Sequence, residues 1–221
     1  MLRISGRLLT AAVCVVALGS GGEALGAQTA NWFTVGAAAT GIRLQSRFAT
    51  GASSDVSGIA VGASSGVEVG RVALELGYWQ GRVGADPNGT QQQDVIDGYA
   101  LLVLRAAPWL RVKGGAEARS YLTAGGTEHW VFWQARLRAE RTIVDPSVRG
   151  HIELWHALST EVNTPVTVDR AQGGEVGVTL LRALGPLWAR LAYAMDDVRL
   201  VGSTRRQTLE ALALTVGYGG R

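Results

Sequence analysis

Residues 109–143 read WLRVKGGAEARSYLTAGGTEHWVFWQARLRAERTI. In the first half Arg111, Lys113, Gly115, Glu117, Arg119 and Tyr121 alternate with Leu110, Val112, Gly114, Ala116, Ala118, Ser120 and Leu122. In the second half Gln134, Arg136, Arg138 and Glu140 alternate with Trp133, Ala135, Leu137 and Ala139. A period of two marks a strand with one wet face and one dry face. Ala124-Gly125-Gly126-Thr127 between the halves has the composition of a hairpin connection. Each half is about twice as long as a usual strand of a soluble domain. Long, amphipathic, antiparallel strands are what a membrane-spanning barrel needs.

The same pattern predicts strands along the rest of the chain: 32–48, 56–69, 72–83 and 94–105 before the hairpin, and 148–160, 172–183, 187–201 and 207–218 after it. Breaks between them carry turn residues, such as Gly70-Arg71, GADPNGTQQQ, Ala107-Pro108, Asp145-Pro146 and Gly185-Pro186. The fold class expected is all-β: a closed, antiparallel, up-and-down transmembrane barrel of about ten strands, with eight as the alternative count. Odd-numbered connections are the longer polar ones and even-numbered ones are tight turns. This is the asymmetry of bacterial outer-membrane barrels, with loops outside and turns in the periplasm. An even strand count then puts both termini in the periplasm.

If the apolar face meets lipid, the charged face fills the lumen. The expected lumen network is Arg43, Arg47, Glu75, Arg111, Lys113, Glu117, Arg119, Arg136, Arg138, Glu140, Arg149, His151, Glu153, Glu175 and Arg190, joined by Glu68, Asp97 and Arg105. In so narrow an interior these groups must pair. Aromatics gather near predicted strand ends, and Trp32, Trp79, Trp109, Trp130, Trp133, Trp155, Trp188 and Tyr218 are read as two interfacial girdles. A secreted, soluble, lipocalin-like ligand-binding barrel would alternate too, but has no reason to collect Trp and Tyr at both rims.

The N-terminus adds a location. Arg3 and Arg7 precede an apolar run from Leu8 to Leu18, and Ala24 and Gly26 suit a cleavage site. Residues 1–26 are therefore read as a cleaved secretory signal peptide, and 27–221 as a single barrel domain. Cys14, the sole cysteine, lies in the leader, so the mature chain has no thiol chemistry. No later run is long and apolar enough for a spanning helix. The net charge of +3 is spread over strands among acids, not gathered in a stripe, which argues against nucleic-acid binding.

The last strand carries Leu212, Leu214, Val216 and Tyr218 in alternation, ending on an aromatic. With the long amphipathic strands, this resembles the small bacterial outer-membrane barrels of the OmpA-like and porin-like kind, over the whole mature length. The resemblance implies an integral outer-membrane protein in contact with lipid. It also implies a terminal strand read by the barrel-assembly machinery, although Gly219-Gly220-Arg221 follow the aromatic. A structural or narrow-pore role fits such a lumen.

Enzymes use related barrels, and the rim of this one carries residue types that hydrolases use. Omptin proteases place acidic pairs and a His–Asp pair at the outer rim. Here Asp196, Asp197, His129 and His156 lie near predicted outer ends, but adjacent Asp196 and Asp197 must face opposite sides. Lipid A-modifying barrels use His-x-Ser, whereas His156 is followed by Ala157 and Leu158 before Ser159. No His/Asp/Glu group has metal-ligand spacing. The reading is non-enzymatic, with no cofactor and no metal, and a rim hydrolase is the alternative.

Overall fold

The computed structural model describes residues 32–84, 92–123, 126–163, 167–201 and 205–219. The proposed leader, its cleavage site and Cys14 lie outside the described residues. Ten strands follow one another: β1 (Trp32–Arg47), β2 (Ser53–Val69), β3 (Val72–Val83), β4 (Gln93–Ala107), β5 (Leu110–Thr123), β6 (Gly126–Thr142), β7 (Val148–Val162), β8 (Thr167–Leu184), β9 (Leu187–Val201) and β10 (Arg206–Tyr218). Each pairs antiparallel with its chain neighbours, and β1 closes on β10. Closure removes every sheet edge, so each strand has backbone partners on both sides. Tight turns close one end. At Gly70-Arg71 the glycine takes φ 64°, a conformation that a side chain would strain.

The predicted strands agree with these to within a few residues, except that β8 starts at Thr167 rather than near 172. The reason is a bulge. Val168 pairs Leu200 and Arg170 pairs Arg199, leaving Asp169 out of register, so the strict alternation that marks a strand is lost there.

The exterior is apolar over most of the strand length. Ile59, Val61, Leu102, Leu104, Leu137, Ile152, Leu154, Leu191, Leu212 and Leu214 all point outward and are about half exposed or more. An apolar surface running right round a barrel far exceeds the patches that soluble monomers expose. With charged groups inside, the molecule is a transmembrane β-barrel, inside-out relative to a soluble one.

Strands of 12–18 residues exceed the 9–11 needed to cross the hydrocarbon. The surplus lies at the loop end, where the polarity inverts. There the exterior carries ion pairs: Arg43 with Asp55 (2.5 Å), Arg82 with Asp94 (2.5 Å) and Arg206 with Asp197 (2.6 Å). The interior at that end is apolar. Ile42 and Leu44 are buried inside, so Arg43 and Arg47 face outward. Placing these two arginines in the lumen is thus corrected. They share parity with the outward-facing Phe33 and Val35, and above the bilayer an outward charge meets water.

Candidate functional site

Three zones fill the lumen from loop end to turn end. The first is a hydrophobic plug. Every strand contributes to it: Ile42 and Leu44 (β1), Val56 (β2), Val83 (β3), Val95 (β4), Tyr121 (β5), Trp130 and Phe132 (β6), Trp155 (β7), Ala171 (β8), Val198 and Leu200 (β9) and Leu209 (β10). Trp79 packs against it. Tyr121, Trp130, Phe132 and Trp155 form a chain of ring contacts with centroids 5.1–6.1 Å apart. Val83, Val95 and Phe132 have no exposed surface.

The second zone is an ion-pair lattice beneath the plug. Arg119 donates to Asp97 (2.7 Å), Glu117 (2.7 Å) and Asp196 (2.6 Å). Trp155 Nε1 donates to the other oxygen of Asp196 (2.8 Å), and Gln134 donates to Glu117 (3.0 Å). Arg136 links Glu117 (2.5 Å) to Glu153 (3.1 Å). Lys113 then bridges Glu153 and Glu75, 2.8 Å from each. Arg138 lies 3.5 Å from Glu153 and 3.7 Å from both Glu140 and Glu175. Glu175 also meets His151 (2.7 Å) and Arg190 (3.9 Å), while Arg149 meets Glu140 (3.2 Å). Arg105 pairs with Glu68. Buried charges persist only when so compensated. A cavity of about 190 Å³ remains at the centre.

Glycines make room for the large lumen side chains. A Cβ on Gly77 would lie 2.3 Å from the Tyr99 ring, one on Gly173 2.4 Å from Trp155 Nε1, and one on Gly217 2.2 Å from Trp188. The Arg136 guanidinium in turn sits over Tyr99, 5.6 Å from its centroid.

The third zone is a wider chamber of about 760 Å³ at the turn end, lined by Arg111, Arg138, Arg149, Arg190 and Trp188 among others. Arg111 has no ion pair there among the described residues. At its margin, on the β6–β7 turn, Asp145 accepts 2.6 Å hydrogen bonds from the Ser147 hydroxyl and amide, which hold its carboxyl below the usual carboxylate range.

The structure therefore brings together in the lumen every member of the expected network except Arg43 and Arg47. The girdle reading needs correction. Trp109, Trp133 and Tyr218 face outward, each about half exposed. Trp130 and Trp155 are buried in the plug, Trp79 packs on it, and Trp188 fills the space over Gly36 and Gly217. These four share parity with lumen residues of their own strands: Trp155 with Glu153, Trp79 with Glu75, Trp188 with Arg190, and Trp130 with Gln134. The side chain of Trp32 lies outside the described residues.

The rim candidates do not converge. His129 is exposed and meets the Ser120 hydroxyl (2.8 Å), and His156 is exposed on the outer face. Asp197 binds Arg206 outside, while Asp196 belongs to the lumen lattice. Among the described residues no group of His, Cys, Asp and Glu could hold a metal ion.

No protein-family model matches the chain, and no curated protein matches it. Solved structures similar to it in fold are membrane barrels. The outer membrane protease OmpT from Escherichia coli is 10% identical, with TM-score 0.49 over 89% of this chain and 98% of that one. The translocator domain of the autotransporter NalP from Neisseria meningitidis is 11% identical, with TM-score 0.47 over 96% and 94%. Neisserial surface protein A is 13% identical, with TM-score 0.39 over 84% and 96%.

Proposed function

We propose that this protein is an integral bacterial outer-membrane barrel with a closed lumen and a structural, non-enzymatic role, its loop end outside and both termini in the periplasm. The observation that carries this is the plug: all ten strands send apolar side chains into one buried cluster across the lumen. A dry plug of that kind blocks ions as a hydrophobic constriction does, whatever water the cavity beneath it holds. Lipid surrounds the apolar belt. The barrel-assembly machinery reads the terminal strand, whose Leu212, Leu214, Val216 and Tyr218 face outward and are about half exposed.

Two expected results test the reading. Refolded protein in a planar bilayer is silent, and the double variant Trp130→Ala/Phe132→Ala shows steady single-channel steps. Steady conductance from the unaltered barrel would overturn the closed-lumen reading. Separately, alanine at His129, His156 or Asp197 leaves any hydrolytic activity of the purified barrel towards peptides or lipid A unchanged. Loss of such activity in two of these variants, with normal folding, would favour a rim hydrolase.

A further inference from the structure

On the exterior of the loop end, the strand register aligns four arginines in one row. Arg170 of β8 stands opposite Arg199 of β9, Arg199 opposite Arg206 of β10, and Arg206 opposite Arg47 of β1. All four are exposed. Their strand neighbours Ala171, Val198, Leu200, Gln207 and Ser46 are buried inside, so the row points outward. Like charges directly opposed on neighbouring strands repel. Here three such pairs follow one another, over about 14 Å at the usual strand spacing.

Two other exterior arginines of the loop end are paired: Arg43 with Asp55 and Arg82 with Asp94. The row differs from these two. Arg206 has Asp197 at 2.6 Å, but Arg47, Arg170 and Arg199 have no ion pair among the described residues. The nearest acid in sequence, Asp169, is the residue the bulge leaves out of register. Three of the four arginines thus lack a compensating acid, and the repulsion between them is relieved when an anion covers the row.

Its height says what covers it. Below the row the apolar belt begins at Leu212 on β10, Met195 on β9 and Val176 on β8. The row thus stands four to six residues above the hydrocarbon edge, or roughly 10–15 Å once strand tilt is allowed for. A phospholipid headgroup layer is only about 5–8 Å deep. Phosphates carried on sugars reach higher. Adjacent arginines in the row are about 5 Å apart at Cβ, which lets one phosphate bridge two guanidinium forks.

We propose that the row Arg47–Arg206–Arg199–Arg170 binds sugar-borne phosphates of an outer-leaflet glycolipid. The inference rests on the loop end facing outward, as in the proposed function. The test uses the refolded barrel in neutral micelles, with rough-type lipopolysaccharide carrying phosphorylated core sugars as probe and its dephosphorylated form as control. Binding is read by native mass spectrometry and unfolding temperature.

The phosphorylated probe binds and raises the unfolding temperature. Dephosphorylation, or the triple variant Arg47→Gln/Arg170→Gln/Arg199→Gln, weakens binding roughly a hundredfold. Arg71→Gln/Arg141→Gln, at the turn end, changes nothing. Without glycolipid, R199Q alone raises the unfolding temperature, because it relieves repulsion. Equal binding of both probe forms, or full binding by the triple variant, overturns the proposal. So does equal stabilisation by soluble tripolyphosphate, which would make the row a site for free polyanions. Heat-modifiable gel migration and insertion into vesicles are scored first. Failure there sinks the membrane reading itself, whereas normal insertion without discrimination between probes sinks only this site.

Discussion

Replacing Arg119 by methionine is expected to be the most damaging single change in the lumen. Arg119 is 3% exposed and donates to Asp97, Glu117 and Asp196 at 2.6–2.7 Å. Asp97 has no other cation within ion-pair distance among the described residues, and Asp196 keeps only the Trp155 indole. Glu117 retains Arg136 and Gln134. Methionine restores most of the volume but none of the charge, so the loss is electrostatic rather than a cavity. Breaking a buried charge network from one side costs about 3–5 kcal/mol. The measurement is the urea midpoint of the folded, fast-migrating form in unboiled gels. A control separates charge from packing: adding Asp97→Asn and Asp196→Asn to Arg119→Met removes the stranded charges and is expected to recover much of the loss. If the triple variant is no more stable than Arg119→Met, the lattice is not what holds this level of the barrel.

The fold was legible because a barrel writes itself in alternation. Over β5 and residues 133–140 of β6 the charged set and the apolar set keep to opposite faces, and the register puts Glu117 beside Phe132 and Arg138 beside Glu153, with their side chains on the lumen side. What alternation alone does not carry is height. On β1 the parity that presents Phe33 and Val35 to lipid also presents Arg43 and Arg47, because the strand runs on beyond the bilayer. Inside is then dry and outside wet, as in a soluble barrel. Reading charge as lumen along the whole strand therefore fails at its loop end. The girdle failed for the complementary reason. Position near a strand end does not fix which face a ring takes: Trp130 and Trp133, three residues apart, must face opposite sides. Ile42, Leu44, Val95, Val198 and Leu200, each beside an outward polar residue, were the available signal for the plug. β8 hid five of its residues because the bulge at Asp169 breaks the period.

The assignment of faces at mid-membrane makes the second large prediction. Leu137 and Arg138 are neighbours on β6, the first 48% exposed outward, the second 8% exposed within the lattice. Leu137→Arg places a charge among acyl chains, flanked on its own strand by the outward Ala135 and Ala139, which offer no partner. At the bilayer midplane this costs about 2–4 kcal/mol, and less towards either interface. Arg138→Leu leaves Glu153 with Lys113 and Arg136, and Glu175 with His151 and Arg190, so its cost falls on a lattice with other cations in reach. Stability alone does not separate the faces, since both changes destabilise. Labelling does. In protein expressed without residues 1–26 the chain has no cysteine, so a cysteine at 137 or 138 reports a single position. A fluorophore at 137 is expected to be quenched by a lipid-confined quencher. Cysteine at 138 is expected to be shielded from that quencher in the folded barrel, because its side chain points into the lumen, away from the acyl chains. Quenching at 138 but not at 137 would reverse the inside-out assignment. Quenching at neither would return the chain to a soluble barrel, with Leu137 covered by something other than lipid.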